Sequence, residues 1–256
     1  MNDFAVNVRT AALGNTYLFS VGQAGFIIRS ARGQLLGIDL YLSECVERVE
    51  GHQGFKRLLP SILSPVELEF DGLVTTHAHM DHYDVDTVPL LMSNPHTKLY
   101  ASFDCEQMIT YQKIKAERVT YVRPGDHCVI GDFDLEFVKC DHGADVPDAV
   151  GIIVTVDGKK IFETGDTCLR LDRVEQYREK GPFDILIAPI NGAFGNLSEQ
   201  DCARLSGALF PRLTIPCHYG MFASHGGDIG RFYKIMTEQY PENTVLMMAM
   251  GERITL

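Results

Sequence analysis

No two of the seven cysteines stand in CxxC spacing, so neither a zinc knuckle nor a redox dithiol is written into the chain. The thiols are odd in number and scattered from Cys45 to Cys217, and the expected role is small, buried and reduced. The opening segment MNDFAVNVRT lacks the basic start and apolar stretch of a secretory signal. No run approaches the roughly 18 apolar residues that a membrane helix needs. A cytoplasmic protein with no membrane partner is the expectation. Basic residues are also short, 23 against 34 acidic ones, for a net charge of −11. An acidic surface repels polyanions, so nucleic acid is not expected as a partner. Linkers, low-complexity tracts and repeats are absent, and one domain over residues 1–256 is the economical reading.

What is present is the pattern of an ordinary globular chain. Apolar residues make up 45% and charged ones 22%, which excludes disorder, collagen and coiled coil. Periodicity predicts strands at 16–19, 25–29, 35–39, 72–75, 98–101, 118–122, 134–138, 151–156, 160–163, 185–188 and 213–216. Leu35-Leu36-Gly37-Ile38 and Ile185-Leu186-Ile187-Ala188 are continuous apolar runs, as in strands buried on both faces. Asp157-Gly158 marks a hairpin. Helices are predicted at 103–114 (capped by Ser102 or Asp104), at 198–210 and at 228–240, the last closed by Pro241. Ser198 with Asp201 three positions on is a variant capping box. Strands outnumber helices and the two interleave, an α/β pattern of sheets packed together with helices outside.

The segment Thr75-Thr76-His77-Ala78-His79-Met80-Asp81-His82-Tyr83-Asp84 follows the short apolar strand at 72–75. In extended backbone, His77 and His79 leave the same face and can converge on one ion. Asp81 and His82 then turn toward a neighbouring position with one hard oxygen and one borderline nitrogen. Imidazole with carboxylate suits Zn²⁺, Mn²⁺ or Fe²⁺ and leaves a coordination position open. A polar loop with hydrogen-bonded histidines is the bland alternative. Three histidines and two aspartates within eight residues favour the metal.

In this form, HxHxDH resembles the signature of the metallo-β-lactamase superfamily. The resemblance extends through Asp39 at the end of an early strand, His142 in Cys140-Asp141-His142-Gly143, Asp166 in Gly165-Asp166-Thr167, and His218 after Ile215-Pro216-Cys217. It implies an αββα sandwich, two mixed sheets face to face with helices outside. It also implies that His77, His79 and His142 hold one metal, that Asp81, His82 and His218 hold a second, and that Asp166 bridges them. Asp39 would orient the ligand loop. One or two divalent ions, manganese or zinc, are the implied cofactors; two close ions share a water and lower its pKa toward neutrality. Asp81, Asp166 and His225 are the residues expected to take part in catalysis.

Within the superfamily the chain is similar to the L-ascorbate-6-phosphate lactonase branch. The similarity rests on the motif continued through Val85-Asp86-Thr87, on Arg123-Pro124-Gly125-Asp126, on Glu163-Thr164-Gly165-Asp166-Thr167 and on Ile215 to Phe222. It implies a small phosphorylated sugar lactone as substrate. The chain departs from that branch in being shorter and in carrying His218-Tyr219 where the lactonase has paired histidines. A phosphodiesterase acting on cyclic nucleotides is the alternative hydrolase. A di-iron redox protein or a non-catalytic metal-binding module lies outside hydrolysis, and a homo-oligomer is an open expectation.

Several residues carry two readings each. Asp84 either accepts from a ligand histidine or caps the segment after it. Lys56 and Arg57 bind a substrate phosphate or form a solvated surface pair. Asn191 contacts substrate or serves the turn before Gly192. His225 donates a proton to a leaving group or is an exposed loop residue. Cys168 and Cys217 are oxidation-sensitive or simply packed. His52, His96 and His127 read as surface or turn residues.

Overall fold

The computed structural model describes residues 2–256, and among these thirteen strands form two mixed sheets. In chain order they are β1 (Tyr17–Gly22), β2 (Gly25–Arg29), β3 (Leu35–Ile38), β4 (Gly72–Thr75), β5 (Lys98–Ser102), β6 (Val119–Val122), β7 (His127–Ile130), β8 (Phe133–Lys139), β9 (Val150–Val156), β10 (Lys159–Glu163), β11 (Ile185–Pro189), β12 (Leu213–Cys217) and β13 (Arg253–Thr255). The first sheet runs β13-β1-β2-β3-β4-β5-β6 and the second β12-β11-β10-β9-β8-β7. Pairing is parallel from β3 to β6 and from β10 to β12, and antiparallel elsewhere. The helices are α1 (Asp3–Thr10), α2 (Cys45–Glu50), α3 (Val88–Leu91), α4 (Glu106–Tyr111), α5 (Val174–Arg178), α6 (Glu199–Leu209) and α7 (Ile229–Gln239).

Alternation within the strands sorts the side chains into three apolar layers. Leu36, Ile38 and Val74 of the first sheet meet Leu135, Ile152, Ile187 and Ile215 of the second between the sheets. The outer face of the first sheet, with Phe19, Ile27 and Leu73, is covered by Phe4, Val8, Leu91 and Ile109 from α1, α3 and α4. Phe162, Leu186 and Ala188 on the opposite outer face take Val174, Cys202 and Phe232 from α5, α6 and α7. This is the αββα sandwich. Full burial of an Ile or Leu at the inter-sheet layer stabilises by about 1.5–3 kcal/mol. Truncating Ile187 to Ala therefore costs about 2–5 kcal/mol, since the filled interior relaxes only in part.

Local chemistry sets the boundaries. Asp157 and Gly158 both take positive φ (48° and 75°), which fits the primed turn that joins β9 to β10. Ser198 caps α6 in a complete capping box with Asp201, and Asp228 caps α7 by accepting from Arg231 N–H. The predicted 103–114 helix is shorter: Ser102 caps a 3₁₀ turn at Phe103–Cys105, and only Glu106–Tyr111 is α-helical. Helices α1, α2, α3 and α5 and strands β7 and β13 stand where no element was predicted. His127 lies on β7, exposed and paired with Asp134, while His52 and His96 are exposed. No helix among the described residues is long and apolar enough to cross a membrane.

Candidate metal centre

Five strand ends deliver the site. Asp39 follows β3, His77 to His82 follow β4, His142 follows β8, Asp166 follows β10 and His218 follows β12. The two sheets therefore meet at one edge with their ligands facing each other. Gly165 makes the β10 exit possible: its φ is +62°, and a Cβ there would lie 2.6 Å from the Val150 carbonyl oxygen. The backbone turns sharply and Asp166 points inward.

All seven expected ligands converge. His79 Nδ1 lies 3.0 Å from His77 Nε2 and 2.9 Å from His142 Nε2. A ring nitrogen has one proton or one lone pair, so it cannot make two hydrogen bonds to two other ring nitrogens. Three lone pairs aimed at a common cation explain the arrangement; donors at about 2.1 Å from a tetrahedral ion lie about 3.4 Å apart. On the other side, His82 Nε2 and His218 Nε2 are 3.3 Å apart, with Asp81 Oδ2 at 3.8 and 3.7 Å. Asp166 sits between: Oδ1 is 3.0 Å from His218, and Oδ2 is 3.4 Å from His82 and 3.7 Å from His142. The donors group as His77-His79-His142, His77-His82-Asp166 and Asp81-His82-His218, with the donor atoms of each group within 4.8 Å of one another. The residues fit divalent cations.

Surrounding groups set the tautomers. Asp39 is fully buried; it accepts from Thr76 N–H at 2.8 Å, from Thr76 Oγ1 at 2.6 Å and from His82 Nδ1 at 2.6 Å. Thr76 has spent its proton on Asp39, so at 3.1 Å it accepts from His77 Nδ1 and leaves His77 Nε2 with a lone pair. Asp145 Oδ2 accepts from His79 Nε2–H at 2.9 Å, which leaves the Nδ1 lone pair for the centre and holds the Asp145 carboxyl below its usual range. Burial opposes the charged form of His82, but Asp166, Asp39 and Asp81 together outweigh it and hold the ring well above the usual histidine range. Burial likewise opposes the Asp166 carboxylate, yet His218 and His82 hold it well below the usual range. The site thus concentrates negative charge where a cation would neutralise it.

Gln23, Asn196 and Asp145 carry no spacing signal and were not foreseen. Gln23 donates Nε2 to Asp81 Oδ2 at 2.9 Å, and its carbonyl accepts from His218 N–H. Asn196 donates Nδ2 to Asp166 Oδ2 at 2.7 Å and to Asn191 Oδ1 at 3.1 Å. Asn191 so belongs to the site wall. Only their positions, in the turn before Gly25 and just ahead of the Ser198 cap, hinted at a role.

The structure decides between the paired readings of Asp84 and of Lys56 and Arg57. Asp84 touches no histidine: its oxygens accept from Leu42, Ser43, Asp86 and Thr87, so it caps its own segment and ties it to the chain after β3. Neither Lys56 nor Arg57 lines the cavity over the ligands. Lys56 pairs with Glu47 at the surface, whereas Arg57 is buried under the Tyr41 ring and donates to the carbonyls of Leu59 and Ser43. Cys217 is packed and its thiol pushed up by burial, while Cys168 is half-buried.

Above the ligands opens a cavity of about 520 Å³, floored by His79, Asp81, His142, Asp166 and His218. His225 lines it, but its Nε2 donates to the Gln53 carbonyl at 2.8 Å, so a neutral ring has no proton left to give.

The profile of the beta-lactamase superfamily domain matches residues 17–218 of this chain. The chain belongs to that superfamily. A UPF0173 metal-dependent hydrolase from Saccharolobus solfataricus is 31% identical over 201 residues, covering 76% of this chain and 86% of that relative. Another from Pyrococcus abyssi is 27% identical over 242 residues, covering 92% and 97%. Among solved structures, a metallo hydrolase from Ignicoccus hospitalis superposes with a TM-score of 0.72 at 20% identity, covering 94% of this chain and 98% of that one. Within the superfamily, the chain is a metal-dependent hydrolase with the metallo-β-lactamase fold.

Proposed function

We propose that the protein hydrolyses a small lactone or ester, with His77, His79, His142, Asp81, His82, His218 and Asp166 holding one or two divalent ions, manganese or zinc. Such ions, when bound, lower the pKa of a water toward neutrality and polarise the oxygen of the group under attack. The position of Asp166 carries this reading, since one buried carboxylate lies within 3.7 Å of ring nitrogens from both halves of the site. The remaining residues orient: Asp39, Thr76 and Asp145 fix the tautomers of His82, His77 and His79, while Gln23 and Asn196 hold the carboxylates of Asp81 and Asp166.

Similarity of the extended motif to L-ascorbate-6-phosphate lactonases supports a lactone as the scissile group. The sugar phosphate of that branch has less support, because no Lys or Arg among the described residues lines the cavity. A phosphodiester at the scissile position is the second reading, favoured by the aromatic side of the cavity, where a nucleobase would lie. Seven free cysteines suit a reducing compartment such as the cytoplasm. The test is hydrolysis of a panel of lactones, esters and cyclic nucleotides by the full chain before and after chelation. Activity lost to the chelator and restored by manganese or zinc is the expected result. Activity indifferent to the chelator would refute the proposal.

A further inference from the structure

Phe55, Phe194 and His225 cluster on one side of the cavity, backed by Phe222, which meets Phe55 edge-on at 5.3 Å. Phe55 stacks on Phe194 at 5.7 Å between centroids, and His225 lies 4.7 Å from Phe55 and 5.1 Å from Phe194. Phe194 is 56% exposed at the mouth, and both it and His225 adopt left-handed backbone (φ 53° and 65°). Non-glycine residues in this sparsely populated region carry a conformational cost and cluster at active sites and ligand clamps. His225 adds its ring face to this wall while its Nε2–H is tied to Gln53.

The Asp and Glu side chains among the described cavity-lining residues meet no Lys or Arg there. Glu50 and Asp145 line the cavity. Basic residues on the surrounding segments pair with carboxylates outside the cavity lining: Arg48 of α2 with Asp86, Lys56 with Glu47, and Arg170 and Arg173 with Asp141. An anionic group lying away from the ligand floor would meet carboxylates and aromatic π-faces, both of which repel it.

Resting on the hydrolase reading above, we infer that the substrate carries a flat, uncharged aromatic or conjugated group that lies against Phe55, Phe194 and His225. Its scissile bond faces the histidine–aspartate floor, and it bears no anionic group apart from the one the reaction consumes.

The test uses the full chain loaded with zinc or manganese. Benzamide is titrated against the wild type, Phe194→Ala and Phe55→Leu by ligand-observed NMR, with cyclohexanecarboxamide as the non-planar control. Hydrolysis of benzyl acetate is compared with that of butyl acetate and of 4-phosphonooxybenzyl acetate. Benzamide is expected to bind about fivefold more tightly than the control, and Phe194→Ala to lose about that factor, the scale of one aromatic contact. The kcat/KM ratio of benzyl over butyl acetate falls in both variants, and the phosphorylated ester is the poorer substrate of the wild type. Equal binding of the two amides, no binding of benzamide, unchanged affinity in both variants, or a preference for the phosphorylated ester would each overturn the inference. If no ester is hydrolysed, the proposed function loses support by itself and the benzamide titration still decides this inference.

Discussion

His82 donates Nδ1 to Asp39 Oδ2 over 2.6 Å, and both side chains are fully buried. The contact points Nε2 of His82 at Asp166 and His218, so a carboxylate on one strand end aims a ligand from the next. Asp39 also receives two bonds from Thr76, and an amide in its place would offer one acceptor oxygen to three donors. Asp39→Asn is expected to weaken divalent-metal binding by about 10–100-fold, as read by competition with a chromophoric chelator. Unchanged affinity would mean that the loop holds His82 without help.

Asn196 holds the central carboxylate of Asp166 at 2.7 Å. Asn196→Ala leaves that carboxylate free to rotate. About a tenfold loss of kcat/KM is expected, with the melting temperature little changed because Asn196 lies on the cavity wall. A variant with wild-type kinetics would remove Asn196 from the site.

Glu163 is buried behind the ligands with Oε2 unpartnered, and burial, followed by Asp39, pushes its carboxyl well above the usual range. Its folded pKa is raised, so the native state binds the extra proton. Its contribution to stability is therefore present below the unfolded value of about 4.3 and is lost as pH rises toward the folded one. In metal-free protein, Glu163→Gln should match the wild type near pH 4 and become the more stable of the two toward pH 8. The gap opens by at most about 1.4 kcal/mol per pH unit. Melting curves across pH that run parallel would show that Glu163 does not titrate with unfolding.

Much of the fold was legible because its signals are local. The apolar run 185–188 is the parallel strand β11, and Asp157-Gly158, Ser198 and Asp228 sit at the turn and caps they advertise. Boundaries failed where tertiary packing overrides pattern, as at 103–114, where the chain breaks into two short helical pieces. Short helices such as α2 and α3 bury only two side chains each and leave little periodicity to read. At the site, the histidines and aspartates were legible as a chemical type at a given spacing. Gln23, Asn196 and Asp145 were not, because each reaches its ligand by a side-chain hydrogen bond formed only when distant segments meet; Gln23 and Asp81 are 58 positions apart. Asp84 was ambiguous for the same reason: the partners that decide its role, Leu42 and Ser43, lie some forty residues earlier.

The most direct test is the metal content of the purified full chain by elemental analysis, beside folded His77→Ala and Asp166→Asn. The wild type should carry or accept one to two equivalents of manganese or zinc, and both variants should retain less while keeping the wild-type circular dichroism. A wild type that holds no divalent ion as purified and takes up none on reconstitution would contradict the assignment of the histidine–aspartate cluster.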